Sequence, residues 1–344
     1  MASISKVSFT GQAAGSGTWG SPYAAALGTQ SANWLVVWAG EVITSYHTTL
    51  MYANFVRTKF IDHGKSAQFD VAGGVSARYH NPGTDIWEDD AAFNATGTPK
   101  LLSTLQVNKR TVNIDQPLVA PTAVDDFDEA SSHWETRVVH TSEQGEAMAN
   151  QLEQELMQLS ILASRASATA PQAAGVQVSL GAASPTAAQL KTGIATLAEK
   201  FDDAKVPDDG SRYVVLKVAD YWVLAQDTDI VNSDFGGRGS LAEGSVKQYM
   251  GVNILKSTNV PTTDLSSANT AGTANSYVGN FSTTHGFGFY SGAGGSRSPV
   301  GLVVLKGLSV EREHSVGRQA TLMVTKIYKG AGILEPETAI ELTD

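Results

Sequence analysis

From Ser131 to Ser167, apolar and small residues recur at steps of three and four, through Trp134, Val138, Thr141, Gly145, Met148, Leu152, Leu156, Leu159 and Ala163. That period belongs to one face of an α-helix. At 1.5 Å per residue the segment makes a rod of roughly 55 Å, longer than most globular helices. Ser132 and Glu135 have the spacing of a capping box, behind the acidic cluster Asp125, Asp126, Asp128 and Glu129. The stripe is narrow and no equally long helix follows, so a simple helical bundle is excluded. A rod of this kind is expected to lie with Met148, Leu152, Leu156 and Leu159 against a β-sheet of the same chain.

The segments on either side supply that sheet. Residues 1–30 are rich in Gly, Ser and Ala and predict an extended arm whose Phe9, Trp19 and Tyr23 need a surface to rest on. Leu35, Trp38, Val42 and Tyr46 predict a short amphipathic helix from Ser31 to about Leu50. From Phe55 to about Pro121 the pattern changes to short alternating stretches, with Phe69, Val71 and Val75 leading to the Asn81-Pro82-Gly83 turn and Val107, Thr111, Val112 and Ile114 returning. This is a long β excursion with little core of its own. A second helix is predicted over Thr186–Ala204, with Leu190, Ile194, Leu197 and Phe201 on one face, ended by Val206-Pro207-Asp208-Asp209-Gly210. Strands are predicted at Tyr213–Val218 and Tyr249–Val260 with a short helix from Tyr221, then a Ser, Thr, Gly and Asn-rich loop over 262–299. Apolar strands close the chain around Gly301–Leu305, Leu308–Glu311 and Thr321–Tyr328. Strands and helices without regular alternation define an α+β class.

Composition narrows the function classes. The 344 residues exceed one ordinary core, yet no linker divides them, so subdomains sharing one chain are expected. Charged residues are only 17% and glycines number 33, which makes a smooth, loop-rich surface suited to contact with other proteins. A net charge of −10 without any long block of like charge argues against a nucleic-acid-binding face. There is no cysteine, hence no disulfide and no thiolate metal site. No signal-peptide core opens the sequence, and its longest apolar run, Trp34–Ala39, is far below membrane-spanning length. Soluble synthesis in a cytoplasm is the expectation.

The search for chemistry finds none. Gly64-Lys65-Ser66 resembles the end of a phosphate-binding loop, but Lys59 stands where that motif needs glycine, and a strand follows rather than a helix. Gly286, Gly288 and Gly292 have an imperfect dinucleotide-loop spacing that is better explained by a flexible loop. His133 and His140, two helical turns apart, are too distant to share a metal unaided. Asp85, Glu88, Asp89 and Asp90 are expected to form a solvated turn. No catalytic residue, cofactor or metal site is expected.

Four runs carry a family resemblance. Gly40-Glu41-Val42-Ile43-Thr44 resembles the GEVLT run of capsid proteins from short-tailed, T7-like phages of the autographivirus type, and Gly64–Phe69 is their GKSAQF stretch at the base of an extended loop. Gly244-Ser245-Val246 with Met250-Gly251 resembles their GS, MG pattern. The tail from Leu308 to Pro336, with Glu311-Arg312, Tyr328 and Gly330, resembles their closing strands. The likeness spans residues 40–340. It departs between Pro82 and Val107, which is richer in acidic and small residues, and no motif places the Lys and Asn of a covalent crosslink.

This resemblance implies an HK97-like phage capsid fold: an N-terminal arm and short helix (1–54), an extended β-hairpin loop (55–122), a P-domain with the spine helix (123–185), an A-domain (186–300) and closing P-domain strands (301–344). It also implies a major capsid protein, not an enzyme. Copies would join as pentamers and hexamers in an icosahedral shell, first around a scaffolding protein, with a portal protein and decoration proteins as further partners. The shell encloses double-stranded DNA without sequence-specific binding, and is assembled in the cytoplasm of a bacterial host. Lys65, Gln68 and Phe69 are the expected subunit-interface residues, Phe69 as apolar anchor and Lys65 pairing with an acidic neighbour; the alternative is a solvated hairpin with a core phenylalanine. Rival functions are an encapsulin-like nanocompartment and, further off, a carbohydrate-binding tail or adhesin protein.

Overall fold

The computed structural model describes residues 27–73, 77, 79–80, 82, 107–125, 134–169, 172–227, 248–267, 277–292 and 297–344. Its elements run α1 (Leu27–Thr49), a 3-10 turn (Tyr52–Phe55), β1 (Arg57–Phe60), β2 (Ser66–Ala72), β3 (Val107–Asn113), β4 (Leu118–Asp125), α2 (Trp134–Ser164) and β5 (Val176–Ser179). Then come α3 (Ala187–Asp203), β6 (Arg212–Lys217), α4 (Val218–Ala225), β7 (Gln248–Tyr249), β8 (Val252–Ser257), β9 (Thr284–Tyr290), β10 (Val300–Ser315), β11 (Ala320–Ile333) and β12 (Ala339–Thr343). They form a four-stranded sheet, β1-β10-β11-β4, a six-stranded sheet, β5-β12-β9-β6-β8-β7, and a two-stranded ribbon, β2-β3. Of the arm expected over 1–30, residues 1–26 lie outside the described residues, while 27–30 belong to α1, which begins four residues before the expected Ser31. The capping box at Ser132, the Gly244-Ser245-Val246 run and the outer excursion with Asp85, Glu88, Asp89 and Asp90 also lie outside the described residues.

The helix α2 is the hub, and its surroundings correct the narrow-stripe expectation. Met148, Leu152, Leu156 and Leu159 do pack on sheet residues, in one cluster with Val300, Leu302, Val304 and Ile327 of the four-stranded sheet. The same cluster holds Val215, Phe287 and Phe289 of the six-stranded sheet, so α2 is wedged between the two. Both sides of the helix are therefore covered, and Glu153, Glu155, Gln158 and Ser160 are buried along with the apolar stripe. Buried charges need partners. Glu155 pairs with Lys329 of β11, and Arg165, just past the helix, pairs with Glu341 of β12 at 2.5 Å.

A long partner helix does exist, but it precedes α2. On α1, Trp38, Val42 and Tyr46 are buried as the periodicity predicts. The Trp38 indole donates to Gln144 Oε1 at 3.0 Å, and the Ser45 hydroxyl donates to the Ser142 carbonyl at 2.8 Å. Gly145 makes the approach possible, since a Cβ there would lie 2.6 Å from the Val42 carbonyl oxygen. Trp38 and Val42 also meet Met323 of β11, with Leu308 and Val310 of β10 packed alongside.

The second helix matches its expectation closely. Thr186 caps α3 in a capping box with Gln189, and Leu190, Ile194, Leu197 and Phe201 are buried against Val214, Leu216, Ile340 and Leu342. The loop expected over 262–299 needs correction. It contains β9, all seven residues of which are buried and which lies between β12 and β6 in the middle of the sheet. Gly286 and Gly288 belong to this strand and not to a flexible loop. A Cβ on Gly286 would strike the Val215 carbonyl, and one on Gly288 would lie 2.6 Å from Leu197 Cδ1. The glycines let neighbouring backbone and α3 come close, at the cost of the β-propensity that makes a strand legible.

Two further differences follow from register. The closing segments Gly301–Leu305 and Leu308–Glu311 are one strand, β10, interrupted by register shifts at Val304/Lys306 and Lys306/Ser309. The last strand, β12, pairs with β5 and β9 in the six-stranded sheet, apart from the long β10–β11 pair with which it shares the stretch 301–344. Pro121 is tolerated inside β4 because that strand is the edge of its sheet. No helix among the described residues is long and apolar enough to cross a membrane.

Candidate inter-subunit site at the base of the ribbon

The β2–β3 ribbon holds the three residues expected at an interface. Its register is unbroken, from Ser66 opposite Asn113 to Ala72 opposite Val107. Along β2 the alternation is strict: Ala67, Phe69 and Val71 are buried, while Ser66, Gln68 and Asp70 are exposed. On β3 only Val112 is buried. A ribbon so sparsely apolar takes its stability from what it lies on.

Phe69 supplies that support from within its own subunit. Its ring packs with Ala67 and Val112 against Val303 of β10 and Leu334. Arg57 and Lys59 of β1 lie over the ring, 5.3 and 5.7 Å from its centre, and Lys59 Nζ donates to the Gln68 carbonyl at 3.0 Å. Lys65 follows Gly64, whose φ of +99° favours glycine at the turn. The Lys65 carbonyl accepts from the Ile114 amide at 2.8 Å and closes the ribbon's base. The side chains of Lys65 and Gln68 are exposed. Phe69 thus faces inward, whereas Lys65 and Gln68 face outward.

Several residues that hold this ribbon escaped sequence reasoning. Arg110, opposite Phe69, donates from Nη2 to Gln172 Oε1 at 3.1 Å, which ties the ribbon to the segment after α2. The Asp115 amide donates to the Lys329 carbonyl at 3.0 Å. A Cβ on Gly330 would run into the backbone of Asn113 and Ile114, and one on Gly332 would lie 2.9 Å from a Val112 methyl. The sequence did carry one signal for them: Gly330 and Gly332 flank a single residue of a strand, which puts both glycines on one face where another backbone comes close. Among the described residues no group of His, Asp and Glu could hold a metal ion.

A long helix wedged between a four-stranded and a six-stranded sheet, with a β-ribbon held at one side, defines an HK97-like capsid subunit. Solved capsid proteins share this fold. The capsid protein of cyanophage P-SCSP1u is 30% identical and superposes with a TM-score of 0.71, covering 86% of this chain and 88% of that one. The mature capsid protein of bacteriophage PhiM1 superposes with a TM-score of 0.66 at 16% identity, covering 86% of each chain. The major capsid protein of Escherichia phage T7 is 32% identical over 124 residues, which are 36% of this chain and 32% of that protein. The alignment therefore spans about a third of that curated relative. The Gp10A-like major capsid protein family matches residues 68–343, and the chain belongs to that family.

Proposed function

We propose that the chain is the repeating subunit of a phage shell, assembling as pentamers and hexamers into an icosahedral container for double-stranded DNA. The observation that carries this is the family match over residues 68–343, supported by the likeness to the P-SCSP1u capsid across most of both chains. The job is structural, without catalysis. Scaffolding, portal and decoration proteins are its partners, and assembly takes place in the cytoplasm of a bacterial host before the shell becomes part of the virion. The acidic balance of the chain suits a wall that must enclose DNA without binding it tightly. An encapsulin-like compartment shares the fold, but the family match is to a phage capsid model and favours the DNA container.

Within that reading the arm (1–54), extended loop (55–122), spine-helix region (123–185), A-domain (186–300) and closing strands (301–344) are parts of one shell subunit. Lys65 and Gln68 form the outward face of the loop base, Lys65 pairing with a carboxylate of a neighbour, and Phe69 is the anchor that holds that face in place. Expression with a scaffold followed by negative-stain microscopy tests both levels. Closed isometric shells are expected from the wild type, and a monodisperse monomer with hydrolase activity would overturn the shell reading. Lys65→Glu is expected to leave soluble subunits and stop closure; normal shells from it would remove Lys65 from the interface.

A further inference from the structure

The β2–β3 ribbon is tied to the rest of its subunit at its base. Seven residue pairs in unbroken register end at Ser66 and Asn113, and from there the Ile114 and Asp115 amides bond to the Lys65 and Lys329 carbonyls at 2.8 and 3.0 Å. Directly beneath, Gly330 and Gly332 of β11 leave no room for a side chain under Asn113 and Val112. Farther along the ribbon, Arg110 is bonded to Gln172, which is itself buried. The ribbon is thus held at two places, by the glycine face of β11 that lets β3 lie close and, farther along, by the Arg110–Gln172 bond.

We infer that Gly330, Gly332, Arg110 and Gln172 are positioning residues for assembly, setting the angle at which the ribbon leaves the subunit and hence the curvature of the shell. The inference rests on the shell-forming reading. A ribbon that projects from its subunit multiplies a small rotation at the base into a displacement farther out. At about 3.4 Å per residue, the seven paired residues alone span roughly 24 Å, so tilting the base by 10° moves their far end by about 4 Å. Contact between copies tolerates much less than that, because interfaces pack as densely as cores.

Three variants test it: Gly330→Ala, in which backbone must move; Gly332→Ala, in which a valine methyl can give way; and Arg110→Ala, which frees the tilt without crowding. Each is compared with the wild type by far-UV circular dichroism, hydrogen exchange over 66–72 and 107–113, and shell diameter by electron microscopy. Arg110→Ala is expected to keep the fold, to speed amide exchange in the ribbon at least tenfold, and to give shells of mixed diameter or open sheets; Arg110→Lys, which keeps a cationic donor on a long side chain, is expected to restore closure in part. Gly330→Ala is expected to disturb closure more than Gly332→Ala. If Gly330→Ala fails to fold, Arg110→Ala and Gly332→Ala decide the matter. Wild-type shells with unchanged, uniform shells from the folded variants would overturn the inference alone, whereas no shells from the wild type would overturn the shell reading beneath it.

Discussion

Arg165 and Glu341 meet at two points, Nε to Oε2 at 2.7 Å and Nη2 to Oε1 at 2.5 Å, across the joint between the end of α2 and the six-stranded sheet. Glu341 is completely buried and also accepts from Thr284 and Gln177. A buried carboxylate stripped of its cation keeps the desolvation cost and loses the attraction that offset it. Arg165→Leu is therefore expected to destabilise the subunit by about 3 kcal/mol, the low end for a broken buried pair, because the Arg165 side chain retains 24% exposure. Adding Glu341→Gln is expected to recover more than half of that loss. Urea denaturation of the two single variants and the double variant measures it, and additive losses would show that the pair is not coupled.

Leu156 tests the hub itself. It is fully buried on α2 in the cluster that joins both sheets, so Leu156→Ala leaves a cavity in that shared core. A loss of about 2–5 kcal/mol is expected, read as the shift in the urea midpoint at constant slope. A loss near zero would place that face of the helix toward solvent.

The elements that were legible in the sequence are those with amphipathic period and a clean cap, such as α3 with Thr186, Gln189 and its four buried apolar residues. The sequence signal failed where tertiary packing overrode local chemistry. The strand β9 carries Gly286 and Gly288 in a polar, glycine-rich neighbourhood and looks like a loop, because the feature that fits it to its neighbours is a missing side chain. The burial of Glu153 and Glu155 was equally hidden, since a glutamate on a helix is ordinarily solvated and nothing local announces a second sheet. At the ribbon, the alternation of Ala67, Phe69 and Val71 was readable, whereas the direction of Phe69 depended on β10, more than two hundred residues away in the chain.

Glycine at position 288 makes a sharp comparison with glycine at 307. A Cβ on Gly288 would lie 2.6 Å from Leu197 Cδ1 and 3.1 Å from its Cγ, and Leu197 is fully buried. Gly288→Ala is expected to cost about 1–3 kcal/mol through overpacking. Gly307 lies at the register shift of β10 with nothing within 4 Å of a new Cβ, and Gly307→Ala is expected to be neutral or to stabilise by about 0.5 kcal/mol by restricting the unfolded chain. Thermal unfolding of both variants checks the sign of the difference.

Phe69 and Gln68 are adjacent in sequence and opposite in environment. Phe69→Ala opens a cavity among Val112, Val303 and Leu334 and removes the ring under Arg57 and Lys59. A loss of about 3–5 kcal/mol is expected if the ribbon unfolds with the rest of the subunit, and a smaller loss with fast local exchange if the ribbon opens by itself. Gln68→Ala is expected to change stability by no more than about 0.5 kcal/mol. Hydrogen exchange resolved to residues 66–72 separates these outcomes, and equal exchange in both variants would remove Phe69 as the anchor.

Glu153 links stability to pH. Its carboxylate accepts from the backbone amides of Met51, Tyr52 and Ala53 at 2.9, 3.0 and 3.0 Å, and so holds the turn after α1 onto α2. Burial raises its carboxyl above the ordinary glutamate range, and the three amides only partly oppose that shift. A carboxyl raised in the folded state binds its proton more tightly there than in the unfolded chain. Its contribution is then fully present below the unfolded value and is lost as pH rises through the folded one. Relative to Glu153→Gln, which cannot ionise, the wild type is expected to lose stability as pH climbs above the ordinary glutamate range, and to level off once the buried group is ionised. Urea midpoints of both proteins across that window measure the difference; a gap that stays constant would show that the three amides balance burial, and one that grows in favour of the wild type would show that they outweigh it.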